Sequence, residues 1–199
     1  MTDRLQQHQS ISILHRRAYS FSQIQDSNYM NKIENIMGDL FDGIENKSDN
    51  VIIIPHVCND IGKWGSGFVV PLGTKWPIAK ESYLEWSDNG YDLQRDLTFV
   101  LGSTQVVNVQ ERIYVANMVA QEGIISRTNE RPLKYSALTI CMENIARTML
   151  CASSEDEKIE IHCPKFGSDR AGGDWKHIEN LIEEIWLPLA EKVVVYSFE

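Results

Sequence analysis

From Lys32 onward, apolar runs of strand length alternate with segments of helical spacing, and glycine-marked loops separate them. Ile33, Asn35 and Met37 lead into Gly38-Asp39-Leu40, a strand ending in a turn. The run from Val51 to Cys58 is nearly continuous in apolar residues and β-branched at its start, the pattern of a strand buried on both faces. After the loop Asn59–Gly67 a helix is expected. Pro71 lacks the N–H that continues a helix past its first turn, so that helix starts near Val70 or has an irregular entry. Ala79–Trp86 reads as a further helix, ended by Asn89-Gly90. Leu97–Val100 and Val106–Val109 read as a strand pair, and Ile113–Val119 as a central strand. Leu138, Cys141, Met142, Ile145 and Met149 carry helical spacing through Tyr135–Met149. Ile159–Cys163 is a strand, Gly167–Gly173 a second glycine loop, His177–Leu189 an amphipathic helix, and Val193–Phe198 a closing strand.

Strands alternating with helices across short loops predict a three-layer α/β/α architecture around a mixed, largely parallel sheet. Residues 30–199 form that domain. Residues 1–29 show no steady period beyond a short candidate strand at Ile11–Leu14, and are read as an accessory arm. With 199 residues, the chain is long enough to bury a full core. No apolar run reaches the roughly eighteen residues of a membrane helix, and the N-terminus lacks the apolar stretch of a secretory signal. Cys58, Cys141, Cys151 and Cys163 have no C-x-x-C spacing, which argues against a zinc ribbon or redox pair and fits a reducing, cytoplasmic setting. A net charge of −9 disfavours non-specific nucleic-acid binding. It leaves room for a small anion held by main-chain N–H groups.

Both glycine loops follow a strand and precede a helix, the place where open α/β sheets bind ligands. Glycine lets the backbone approach a ligand closely, and the N–H groups beyond it suit phosphate. Neither loop fits the triphosphatase pattern G-x-x-x-x-G-K-[ST], and the first does not fit the dinucleotide pattern G-x-G-x-x-G.

The segment PHVCNDIGKWGSGFVVPLGTKWPIAKESYLEW, with Gly38-Asp39-Leu40, VANMVAQEGI, RPLKYSAL, PKFGSDRAGGDW and the terminal VVVYSF, resembles the macro domain family. It is most similar to the branch of ADP-ribose-1″-phosphate phosphatases and their microbial and phage relatives. The resemblance covers residues 32–199 in order. It implies an ADP-ribose-binding module, either a hydrolase of ADP-ribose-1″-phosphate or a related ADP-ribosyl derivative, or a non-catalytic reader. An ADP-ribosylated macromolecule is a conceivable partner. No cofactor and no metal are implied.

On this resemblance Asp39, with Leu40, meets the adenine amino group, whereas Gly-Asp alone also makes an ordinary turn. Asn59 would hold the distal ribose, its ordinary role being an Asx turn. Gly62, Trp64, Gly65, Ser66, Gly67 and Phe68 would wrap ribose and diphosphate; Trp64 alternatively anchors the loop and Phe68 joins the core. His56 is the candidate for moving a proton beside Asn59, set against a buried, satisfied strand histidine. Period-2 alternation puts His56 and Asn59 on opposite faces unless the chain bends. Gln121 and Asn117 would line the site from a central strand. In the second loop, Gly167, Ser168, Asp169, Arg170 and Ala171 would face the diphosphate. Asp169 stands where the family has glycine, adding a negative charge that Arg170 can offset. Ala171 stands where glutamyl-hydrolysing relatives carry a catalytic Asp, which counts against that chemistry. Asp174 reads as the cap of the following helix.

Overall fold

The computed structural model describes residues 32–44, 49–152 and 158–198, all within the unit Asn31–Glu199. The expected arm at 1–29, with its candidate strand, lies outside the described residues. Strand β1 (Glu34–Met37) and the short helix α1 (Leu40–Ile44) open the described chain. Strand β2 (Val51–Asn59) passes through the first glycine loop into α2 (Val69–Lys75) and α3 (Pro77–Asn89). The hairpin β3 (Tyr91–Asp92) and β4 (Leu97–Thr98) precedes β5 (Thr104–Gln110) and β6 (Ile113–Gln121). Helix α4 (Tyr135–Ala152), β7 (Ile159–Pro164), α5 (Trp175–Ile185) and β8 (Lys192–Ser197) complete the order.

The main sheet runs β1-β8-β7-β2-β6-β5, parallel throughout except for β5 against β6. Alternate residues feed the two faces. Ile53, Met118, Ile161, Cys163 and Val195 pack under α4 and α5, while Ile52, Ile54, Val115 and Val194 pack under α1 and α2. Those are the three layers the spacing predicts. No helix among the described residues is long and apolar enough to cross a membrane.

Pairing of β2 with β7 stops at Ile53, although both strands run further. Pro55, which has no N–H to give a neighbour, lies beyond that point. The two strands therefore part toward their carboxyl ends, and a crevice opens there between the loops that follow them.

Four details differ from the sequence expectation. Leu97-Thr98 pairs with Tyr91-Asp92 rather than with 106–109. The Trp86 indole N–H donates to the Leu97 carbonyl at 2.9 Å and Phe99 packs edge-on against Trp86, which draws this strand to α3. Residues 104–110 pair with β6 instead. The turn after Met37 continues into α1, because Asp39 Oδ1 accepts the Phe41 N–H at 2.7 Å and starts the helix. The last helix runs 175–185, earlier than expected: Asp174 caps it through Lys176 N at 2.9 Å, and Pro188 blocks its continuation. Pro71 falls in the first turn of α2, where its missing N–H removes no helical bond.

Candidate functional site

The two glycine loops meet. A cavity of about 120 Å3 is lined by Ser66, Gly67, Phe68 and Val69 from the first loop, by Gly167, Asp169, Arg170 and Ala171 from the second, and by His56 and Gln121 between them. A larger space of about 550 Å3 continues from it past Asn59, Lys63, Trp64, Gly65, Ile124 and Ile125. Ser66, Gln121 and Arg170 border both spaces. The main-chain N–H groups of residues 66–69 and 167–171 meet no acceptor among the described residues. Donors held at the mouth of a cavity suit an anion.

The loops take these shapes for local reasons. Gly62 and Gly67 in the first, and Gly167 and Gly172 in the second, have positive φ. Gly173 N donates to Gly167 O at 2.9 Å and closes the second loop on itself. Asp169 does not adopt positive φ, so replacing a glycine there adds no backbone strain, and it is exposed at the edge of the cavity. Arg170 makes no ion pair with Asp169. It lies across the cleft instead, its Cδ 3.6 Å from where a β carbon on Gly67 would stand.

Asn59 frames the first loop. Its Nδ2 donates to Lys63 O at 2.7 Å, and its Oδ1 accepts from Lys63 N at 2.9 Å and Ile61 N at 3.2 Å. The Tyr83 hydroxyl donates to Asn59 O at 2.6 Å, pinning the strand end to α3. One Nδ2 hydrogen has no acceptor among the described residues, and Asn59 borders the larger space. The β2–β6 register shifts between Cys58 and Asn59, where β6 carries the extra residue Ala120, so the irregularity lies at the strand end that bears Asn59.

His56 is buried and its Nε2 lies 2.7 Å from Asn117 Oδ1. Asn117 Nδ2 donates to Ala79 O at 3.3 Å and to Gln105 Oε1 at 3.1 Å, while Gln105 Nε2 donates to Ser82 O and to Asp92. Those acceptors orient both amides, so Asn117 presents an oxygen and His56 Nε2 carries the hydrogen. Burial pulls the His56 pKa down to about 4, against smaller opposing contributions from Asn117 and the Val57 backbone. The imidazole is neutral at pH 7.

This has a consequence for stability. The unfolded histidine takes up a proton below its ordinary pKa of 6.5, and the folded one only near 4. Its share of stability is full above pH 6.5 and is lost as pH falls toward 4, on the order of 3 kcal/mol in all. Urea unfolding at about pH 7 and about pH 4 checks it: His56→Asn should show a smaller loss between the two than the native chain.

Trp64 meets His56 edge-on at 5.4 Å and Tyr83 at 5.3 Å, and it borders the larger space. Phe68 stacks on Phe41 of α1 at 5.8 Å and leans on His56, so its ring braces the loop. Ser168 turns away, its Oγ donating to Lys165 O at 2.9 Å. Gly62 packs against Ser87 outside both spaces, and Leu40 is buried in the core. Asn117 lies in mid-strand under α3 rather than at the strand end. Asp39 borders a third cavity of about 350 Å3, together with Gly38, Tyr196, His162 and Glu160. No group of three or more His, Cys, Asp or Glu is placed to hold a metal among the described residues.

Two residues escaped sequence reasoning. Phe198 is 75% exposed and directly follows Ser197, whose carbonyl accepts the Gly38 N–H at 3.0 Å, so its backbone runs beside the turn that carries Asp39. Its signal was an aromatic just past the last strand. Lys63 borders the larger space from inside the first loop, where its only sequence signal is a lone cation between Gly62 and Trp64.

No family model matches the chain. A solved structure from Bacteroides thetaiotaomicron, a protein of unknown function, is 34% identical, with a TM-score of 0.70 over 85% of this chain and 99% of that one. A macrodomain protein from Streptomyces coelicolor is 29% identical, with a TM-score of 0.66 over 83% of this chain and 99% of that one. The chain is a macro domain. Its sequence is also similar to a protein from Lodderomyces elongisporus named ADP-ribose 1″-phosphate phosphatase, 21% identical over 159 residues, 77% of this chain and 92% of that protein. Within this macro domain, the cleft between the loops is the largest concentration of the residues singled out from sequence.

Proposed function

We propose that this macro domain binds ADP-ribose along the carboxyl edge of its sheet and hydrolyses ADP-ribose-1″-phosphate or a related ADP-ribosyl derivative. The observation that carries the reading is the pair of main-chain segments whose N–H groups lack an acceptor among the described residues, 66–69 and 167 with 169–171, at one cavity. A diphosphate placed there receives donors from both sides. Adenine lies at the β1 end, where Asp39 keeps its second carboxylate oxygen for the exocyclic amine and Phe198 offers a stacking face. The distal ribose enters the larger space, where the remaining Asn59 N–H meets its hydroxyls. The name of the Lodderomyces relative supports a phosphomonoester substrate. In that reaction water adds to phosphorus, the bond to the ribose 1″ oxygen breaks, and that oxygen leaves with a proton as ADP-ribose and inorganic phosphate form.

His56 enters this reading as a neutral imidazole at the floor of the cleft, able to accept a proton but not to donate one beyond its bond to Asn117. Binding energy from the adenine and diphosphate ends fixes the reacting end. We place the protein in the cytoplasm, acting on a nucleotide or an ADP-ribosylated macromolecule, with neither nucleic acid nor membrane as its target.

A second reading, a binder without turnover, is favoured by the burial of His56 and by the engagement of the Asn59 amide within its own loop. Following inorganic phosphate released from ADP-ribose-1″-phosphate separates the two. Turnover that tracks the purified protein is expected. Tight ADP-ribose binding with no phosphate released would leave the binder.

A further inference from the structure

We infer that Arg170, with Lys63, forms a subsite for an anionic group carried on the distal ribose, and that Arg170 makes this chain select the phosphorylated nucleotide over ADP-ribose itself. The inference rests on the placement of ADP-ribose proposed above. It starts from a charge imbalance. The protein carries a net charge of −9, yet the larger space is bordered by two cations, Lys63 and Arg170, and by no carboxylate among the described residues.

Nearby cations are already engaged. Lys134 pairs with Glu122 at 2.7 Å, Arg131 lies over the Tyr135 ring, and Lys165 lies over the Trp175 ring. Lys63 and Arg170 have no ion pair or side-chain hydrogen bond among the described residues. Asp169 stands next in the chain to Arg170 and borders only the smaller cavity.

The reach of Arg170 decides which part of the ligand it serves. Its side chain crosses from the second loop to Gly67 and borders both spaces, so the guanidinium stands at the junction of diphosphate and distal ribose. The diphosphate already has the N–H groups of both loops. Other side-chain donors border the larger space, on Asn59, Gln121, Ser66, Trp64 and Lys63, but of these only Lys63 is charged. A phosphate on the distal ribose would take the guanidinium through paired N–H···O bonds, a geometry Lys63 cannot supply alone. Ile124 and Ile125, about half exposed, form an apolar rim on the same space.

The test compares the native chain with Arg170→Leu and Arg170→Lys on two nucleotides. ADP-ribose affinity is measured by calorimetry. ADP-ribose-1″-phosphate is followed as kcat/KM for phosphate release, or by calorimetry if it is not turned over. The ratio of the two gives the selectivity. In Arg170→Leu it should fall by roughly tenfold to a hundredfold, the effect of losing hydrogen bonds to a charged group. Arg170→Lys should restore part of it. If both nucleotides weaken equally, Arg170 serves the diphosphate and the inference is overturned. If neither changes, its side chain points to solvent and the inference is again overturned. Failure of the native chain to bind ADP-ribose at all would remove the underlying placement as well, and is distinguished by the calorimetry alone.

Discussion

Gly67→Glu is expected to abolish ADP-ribose binding while leaving the protein folded. Gly67 has φ of +77°, so any side chain there carries backbone strain of about 1–2 kcal/mol. Its added β carbon meets nothing worse than Arg170 Cδ at 3.6 Å, an ordinary contact. The carboxylate, however, stands in the cavity assigned to the diphosphate. Two like charges about 4 Å apart repel by about 4 kcal/mol at an effective dielectric near 20, roughly a thousandfold in Kd. Arg170 would pair with the new carboxylate and close the cleft further. Calorimetry should show no measurable binding, with a thermal midpoint within several degrees of the native chain.

Gly173→Ala is expected to act on stability instead. A β carbon there would stand 2.4 Å from Leu133 Cδ2 and 2.6 Å from the Gly167 carbonyl oxygen. Leu133 is buried, and that carbonyl holds the Gly173 N–H which closes the loop. Neither neighbour can move without opening the loop. Overpacking of this kind costs about 3 kcal/mol, and for a chain of this size lowers Tm by roughly 6–12 °C. Gly65→Ala is the matched control. Its β carbon would meet nothing within 4 Å and its φ is not positive, so its thermal midpoint should stay close to native.

The elements that carry the site were legible because each rests on local chemistry. Val51–Cys58 carries the pattern of a doubly buried strand, and both glycine loops are marked by composition. What was not legible depends on residues distant along the chain. Asn117 is 61 positions from His56, and nothing local reveals that its oxygen is the partner of the buried imidazole, which burial keeps neutral. The pairing of 97–98 is decided by Trp86, a residue of the preceding helix. Asn59 was singled out as a ribose ligand, but its oxygen serves its own loop; an Asx turn and a ligand contact leave the same sequence mark. Asp39 likewise caps α1 with one oxygen, and no described residue donates to the other, so the turn leaves room for the proposed adenine contact. Asp174 met its ordinary expectation as a helix cap.

A crystal structure of the complex with ADP-ribose tests the central claim most directly. The diphosphate should lie between residues 66–69 and 167–171, accepting main-chain N–H groups from both loops, with the distal ribose toward Asn59. A diphosphate held by one loop only, or a nucleotide bound away from the crevice where β2 and β7 part, would contradict the account.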